Sequence, residues 1–317
     1  MDGFSASRRK LLGCGLASLA FAGAAPGEEK GGAFEPLPAK IAITPKHLTT
    51  PVRINGKGPF RFIVDTGADR SVIADDVAEA LHLPLGRPVV VQGIIRAVDA
   101  VSVPVRELKF GAAVRDNLEM PVLPRKSLQA DGFLGLDAIG DHRIVFDFRN
   151  KTLRVVESLP VEFVERSGGG ETRIVAPGDG DHLRSAECRV EGVATVAFID
   201  SGAEVSVGNE ALRTALMELA PAYAGLRDIE LTGVTGGSRT GKVLRVETIL
   251  LGNLEFSGCE IAAADLDVFK IWDLADKPAL LIGFNFLRQF QTVSIDFRRK
   301  EYRLKLADDS GWVNRRA

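Results

Sequence analysis

Two stretches of this 317-residue chain are near copies of one another: "FIVDTGADRSVIA" at Phe62–Ala74 and "FIDSGAEVSVGNE" at Phe198–Glu210. Their acids, Asp65 and Asp200, stand 200 − 65 = 135 positions apart, and Ser71-Val72 recurs as Ser206-Val207 at the same shift. The likeness continues in unchanged order. "VRING" (Val52–Gly56) answers to "CRVEG" (Cys188–Gly192), and "RELKFGAAVRDNLEM" (Arg106–Met120) to "ETILLGNLEFSGCEI" (Glu247–Ile261). "FLGLDAI" (Phe133–Ile139) answers to "LIGFNFL" (Leu281–Leu287), and each half closes on Asp-Phe-Arg and a turn. An ordered series of matches, its offset widening from 200 − 65 = 135 to 281 − 133 = 148, means one fold built twice.

Within each half the pattern is short apolar or alternating runs broken by Gly, Pro and Asn, which reads as strands and hairpins. Asn55-Gly56 and Glu191-Gly192 mark tight turns. One helix per half is expected after the acid motif, over Asp75–Leu83 with Val77 and Leu81 inward, and over Gly208–Ala220 with Leu212, Leu216 and Leu219 inward. Three consecutive glycines in "VERSGGGET" (Val164–Thr172) place a linker between the halves. The resulting division is a first lobe over 38–160, a linker over 161–170, a second lobe over 171–306 and a tail over 307–317.

Lys+Arg number 40 against Asp+Glu 42, so no basic surface invites nucleic acid as a partner. Residues 1–25 read as an export signal of the twin-arginine type. Arg8-Arg9 precedes an apolar, small-residue stretch over Gly13–Ala25, with Ala22-Gly23-Ala24 as a cleavage pattern. The competing readings, a membrane helix or a lipoprotein site at Cys14, fit less well, because the run is short and little apolar sequence precedes the cysteine. No later run is long enough to span a bilayer, so the mature chain is expected to be soluble, and the export signal places it outside the cytoplasm, in the periplasm or beyond. Cys188 and Cys259 remain after processing, and the sequence leaves open a disulfide between them or two buried free thiols. The four histidines are isolated, so no metal site is expected.

Each acid motif ends a strongly apolar run, which points to a strand buried on both faces with its carboxylate emerging at a core edge. Gly67 and Gly202 allow a sharp turn there, and Thr66 and Ser201 supply hydroxyls to fix it. One such motif is a common Asx-turn. Two of them related by a pseudo-two-fold axis would set Asp65 against Asp200, and carboxylates so close share a proton. One then acts as base on a water while the other donates to a carbonyl oxygen.

"DTGA…S" with "FLGLD", and "DSGA…S" with "LIGFN", resemble the retropepsin-like aspartic proteases, specifically the exported bacterial aspartyl protease families. The resemblance covers roughly Pro38–Leu306 and implies an all-β fold of two pseudo-symmetric lobes in one chain, with one short helix or more per lobe. It implies Asp65 and Asp200 as the catalytic pair, supported by Thr66, Gly67, Ala68, Ser201, Gly202 and Ala203. A polypeptide substrate, no cofactor and a monomer carrying an internal pseudo-dimer follow from it. It also implies a flap hairpin from each half, near Gly93-Ile94 and near Gly233-Val234 with Gly236-Gly237. The second flap has the glycines of a mobile lid. Neither flap segment contains a tyrosine, since the chain has only Tyr223 and Tyr302. Ala68 and Ala203 stand where pepsin-like enzymes commonly carry a hydroxyl. Losing that donor should raise the apparent pKa values of the pair and move activity toward milder pH. The rival readings are a non-catalytic peptide-binding protein on the same fold, and a site assembled from the first halves of two chains.

Overall fold

A computed structural model describes residues 39–40, 42–43, 47–140, 142–158, 171–175, 183 and 185–307, together with 313–315. The export segment, the linker and most of the tail lie outside the described residues.

Each half of the chain forms its own eight-stranded sheet. In the first the strands run, edge to edge, Ala42–Ile43, Leu48–Ile54, Lys57–Val64, Gly132–Leu134, Val72–Ala74, Ala113–Leu123, Ala97–Phe110 and Pro88–Gln92. The second runs Arg227–Thr232, Ser238–Leu251, Ser185–Val190, Val193–Ile199, Ala279–Ile282, Val207–Gly208, Leu254–Ala263 and Val313–Arg315. The last of these strands comes from the 307–317 tail, where the sequence shows no clear periodicity; it pairs antiparallel with Leu254–Phe256 and covers that sheet edge.

The expected turns form for a definite reason. Asn55 and Gly56 have φ of 50° and 77°, and Glu191 and Gly192 have 50° and 83°. Two consecutive positive φ values match the right-handed twist of the flanking strands. The Asn55 and Glu191 side chains accept backbone N–H groups from Glu107 and Thr248 at 3.0 Å each, tying both hairpins to their neighbouring strands.

A third sheet joins the halves. Its six strands are Ala39–Lys40, Thr152–Glu157, His142–Asp147, Phe290–Asp296, Glu301–Leu306 and Glu171–Val175, three from each side of the linker. At its centre Ile144 faces Ile295, Val145 faces Ser294 and Phe146 faces Val293. The two central strands are repeat equivalents, offset by 293 − 144 = 149. Each pair is therefore the symmetry mate of another, and the pseudo-two-fold axis passes through Val145 and Ser294. The repeated Asp-Phe-Arg closes both hairpins alike: Asp147 accepts the Asn150 N–H at 2.8 Å and Asp296 the Arg299 N–H at 2.9 Å.

Six short α-helices lie among the described residues: α1 Asp75–Ala80, α2 Arg125–Leu128, α3 Leu136–Ile139, α4 Glu210–Leu219, α5 Asp267–Ile271 and α6 Phe284–Leu287. Helix α1 is shorter than expected because His82 turns left-handed, with φ 53°. Helix α4 starts on Asn209, whose side chain accepts the Leu212 N–H at 2.9 Å. Its apolar face is narrower than expected: Leu212 and Leu216 are fully buried, whereas Leu219 in the last turn is 58% exposed.

The main core runs through both lobes. Phe62, Phe146, Phe256, Phe284 and Phe286 are all buried in it, each worth about 1.5–3 kcal/mol relative to exposure. Cys188 and Cys259 are free, buried thiols, so the disulfide alternative is wrong. Their strands flank Ser238–Leu251 on opposite sides, with Cys188 opposite Leu251 and Cys259 opposite Val246. Two strand spacings of about 4.8 Å each already exceed disulfide reach. Burial pushes the Cys188 thiol up to about 12; burial, and after it Glu247, does the same to Cys259.

Candidate active site

The strand Lys57–Val64 enters the core with Phe62, Ile63 and Val64 all buried, and pairs in parallel with Gly132–Leu134. The Asp65 N–H continues that ladder to the Leu134 carbonyl at 2.9 Å. The second lobe repeats the device: Phe198 and Ile199 pair with Leu281 and Ile282, and the Asp200 N–H donates to the Ile282 carbonyl at 3.0 Å. This is the doubly buried strand that the continuous apolar runs predict. Each acid folds back on its own turn, with Asp65 Oδ1 accepting the Gly67 N–H at 2.9 Å and Asp200 Oδ1 the Gly202 N–H at 2.8 Å.

The two turns meet. A Cβ placed on Gly67 would lie 2.6 Å from Asp200 Cγ, and one on Gly202 would lie 2.4 Å from Asp65 Cγ. Each glycine is thus the surface on which the opposite carboxylate rests. Asp65 is 9% exposed and Asp200 6%. Burial first, and the neighbouring Asp200 second, hold the Asp65 carboxyl well above its ordinary value, against the N–H groups of Gly67 and Ala68, which pull it down.

The hydroxyls lock the turns across the seam. Thr66 Oγ1 donates to the Ile199 carbonyl at 3.1 Å and accepts the Ser201 N–H at 3.0 Å. Ser201 Oγ donates to the Val64 carbonyl at 2.7 Å and accepts the Thr66 N–H at 3.2 Å. Neither hydroxyl serves its own turn: together they form a bracket across the two lobes.

A second layer, to which the sequence reading gave no role, supports each turn. Ser71 Oγ accepts the Gly135 N–H at 3.0 Å and donates to Asp137 Oδ1 at 2.6 Å. In the other lobe Ser206 Oγ accepts the Gly283 N–H at 3.0 Å and donates to Asn285 Oδ1 at 2.8 Å. The Leu136 and Phe284 N–H groups reach the Ala68 and Ala203 carbonyls, each at 2.8 Å. A Cβ at Gly135 or Gly283 would meet the backbone of Arg70 or Val205 at about 2.5 Å or 2.6 Å, which is why glycine follows the apolar pair in both repeats. The recurrence of serine at the 135-residue shift was the available signal.

A profile of the family described as "Aspartyl protease" matches residues 50–138 and 186–286, taking in both acid turns and both apolar-apolar-Gly segments. The chain belongs to the aspartyl protease family. No curated protein matches it. The two matched segments of this aspartyl protease family member correspond to its two lobes, and neither contains a strand of the six-stranded sheet that joins them.

The remaining expected residues of the aspartyl protease site fall at two hairpin tips. Gly93 and Ile94 lie between Pro88–Gln92 and Ala97–Phe110, whereas Gly233, Val234, Gly236 and Gly237 lie between Arg227–Thr232 and Ser238–Leu251. The tips touch each other. Thr235 Oγ1 donates to the Arg96 carbonyl at 2.8 Å, and Arg96 Nε donates to the Thr235 carbonyl at 3.2 Å. A Cβ at Gly93 would stand 2.0 Å from Thr235 Oγ1, so glycine there admits the threonine. Arg96 and Thr235 were not singled out in the sequence, because their pairing spans 139 residues. Among the described residues no cluster of His, Cys, Asp and Glu could hold a metal ion, and no helix is long and apolar enough to cross a membrane.

Proposed function

We propose that the chain is an aspartic endopeptidase that hydrolyses peptide bonds with a water activated between Asp65 and Asp200. The observation that carries this is the mutual seating of two buried carboxylates, each on the other lobe's glycine. With the Asp65 carboxyl held above its usual range beside Asp200, the pair retains one proton at mildly acidic pH. The ionised carboxylate removes a proton from the water as its oxygen bonds to the peptide carbon. The protonated carboxyl gives its proton to the carbonyl oxygen, so the tetrahedral intermediate forms without net charge separation. The protonated carboxyl then gives its proton to the amide nitrogen while the ionised one takes a proton from a hydroxyl of the gem-diol, so that the C–N bond breaks, a carboxyl product forms and the pair is again singly protonated. The bracket of Thr66 and Ser201 holds both carboxylates in place while the proton moves.

The preferred substrate is an extended polypeptide, whose main chain the hairpins and flanking strands can hydrogen-bond. We also propose export. Arg8-Arg9 ahead of the apolar Gly13–Ala25 stretch supports a twin-arginine route, which carries folded proteins.

The test is hydrolysis of a peptide library by the wild type beside Asp65→Asn and Asp200→Asn, with folding checked by circular dichroism. Each variant is expected to lose at least about a thousandfold in kcat/KM, the loss of an acid–base group. A statine-type transition-state mimic should inhibit the wild type. Loss in one variant alone would replace the composite site with one built from two chains. Tight peptide binding without hydrolysis by the wild type would make the protein a peptide-binding module.

A further inference from the structure

Neither hairpin tip carries a tyrosine, and the two tips are held by unequal means. The first is fastened to the opposite lobe by ties beyond the second hairpin, although Ile95 also lies against the second tip, where a Cβ at Gly233 or Gly237 would meet it at 3.5 Å. The Ile94 carbonyl accepts the Val268 N–H of α5 at 3.3 Å. Ile95, 2% exposed, is buried in an apolar cluster shared with Phe198, Leu266 and Phe269 of the second lobe.

The second tip is built differently. Gly236 and Gly237 have φ of 78° and 80°, and the bond closing its loop, from the Gly233 N–H to the Gly237 carbonyl, is long at 3.4 Å. Thr235 is its one buried residue, 5% exposed, and Val234 is half-buried against the main core. Its polar hold on the first tip is the reciprocal pair between Arg96 and Thr235. Each side chain donates to the other residue's carbonyl, so neither bond forms without both tips in register.

We infer that the paired hairpins, read as covering the site of Asp65 and Asp200, are asymmetric: the first is the fixed part, the second is the gate, and Arg96 with Thr235 forms the clasp that positions the gate when closed. Lifting the second tip breaks the clasp and uncovers Thr235, part of Val234 and the side of Ile95 that faces Gly233 and Gly237. Lifting the first breaks the clasp too, and in addition the tie to Val268 and the packing of Ile95 on Phe198, Leu266 and Phe269, a larger apolar loss. The gate is therefore the cheaper motion, and its glycines absorb the backbone change. The inference rests on reading the chain as a peptidase only for its effect on turnover, since the unequal opening of the hairpins is a property of the fold.

The experiment is hydrogen–deuterium exchange on the full chain and on Thr235→Val, Thr235→Ser and Arg96→Met, with peptide kinetics on the same proteins. In the wild type, amides of 231–239 are expected to exchange faster than those of 93–97. Thr235→Val and Arg96→Met should speed exchange at 231–239 by about tenfold and leave 93–97 within about twofold, the scale of one lost hydrogen bond. Thr235→Ser keeps the hydroxyl and should behave as wild type. For peptides, the first two variants should raise KM by about tenfold with a smaller change in kcat, and Thr235→Ser should restore KM. Equal acceleration at both tips, faster exchange at the first tip, or an unresponsive Thr235→Val would overturn the gate. The predicted exchange pattern in a wild type that cleaves no peptide supports the gate and removes the peptidase. Cleavage by a wild type whose tips exchange alike removes the gate alone.

Discussion

Gly67 of the first lobe lies so close to Asp200 of the second that a single added methyl would occupy the carboxylate's space, 2.6 Å from its Cγ. Neither Gly67 nor its counterpart Gly202 has a left-handed φ, so what requires glycine here is room for the opposing acid. Gly67→Ala and Gly202→Ala should therefore displace the opposite aspartate and lower kcat/KM by about a hundredfold or more, the effect of a misplacement near 1 Å. Steady-state peptide hydrolysis checks this, with the unfolding midpoint showing that the fold survives.

The pH dependence of stability has a defined sign at Asp65. Its carboxyl is raised above the ordinary 3.8 by burial and then by Asp200, so the folded protein holds that proton more tightly than the unfolded chain. Stability from this group is full below 3.8 and is lost as the pH climbs through the folded value. Asp65→Asn removes the penalty. The variant should melt at least about 2 °C above wild type at pH 7, with the gap closing near pH 3.5. Calorimetry at the two pH values is the measurement, and a variant less stable at pH 7 would contradict the stated cause. By the same reasoning Ala68→Ser, which adds a donor beside Asp65, should move the acid limb of the activity profile to lower pH.

The bracket across the lobes gives a second stability prediction. Ser201→Ala deletes the bond to the Val64 carbonyl and strips the Thr66 N–H of its acceptor in a fully buried place. The expected cost is about 1–3 kcal/mol in urea unfolding, with a parallel loss of activity. Ser201→Thr retains the hydroxyl, as Thr66 does in the first lobe, and should keep most of both.

Glu301, 1% exposed, accepts Arg173 Nε at 2.7 Å and Arg303 at 2.8 Å, joining two strands of the shared sheet. Burial opposes its charge, yet the two arginines outweigh burial and hold its carboxyl below the ordinary 4.5. A depressed folded value gives stability that is present above 4.5 and lost as the pH falls through the folded value. Glu301→Gln should cost about 1–3 kcal/mol at pH 7, measured by denaturant titration, and progressively less in acid.

Much of this was legible in the chain because the relevant chemistry is local. The apolar runs ending in Asp65 and Asp200, the Asn55-Gly56 and Glu191-Gly192 turns and the helical spacing of Leu212 and Leu216 each depend on residues within a few positions of one another. Short-range sterics and side chain-to-backbone bonds encode such features directly. The burial of Leu219 was misjudged for the complementary reason: its helical position is local, but what covers that position is not.

The sequence could only expect Asp65 to face Asp200 if pseudo-symmetry held; tertiary structure decided how closely their turns meet, which partners Thr66 and Ser201 bond across the seam, that Arg96 finds Thr235, and that Cys188 and Cys259 stand apart. These relationships all span more than about seventy residues. The physical reason is the register of His142–Asp147 against Phe290–Asp296, which sets the pseudo-two-fold axis at Val145 and Ser294 and carries everything else with it. A slip of two residues there would keep every strand, turn and buried face. It would also move the axis away from Val145 and Ser294, and the seating of the two aspartates with it.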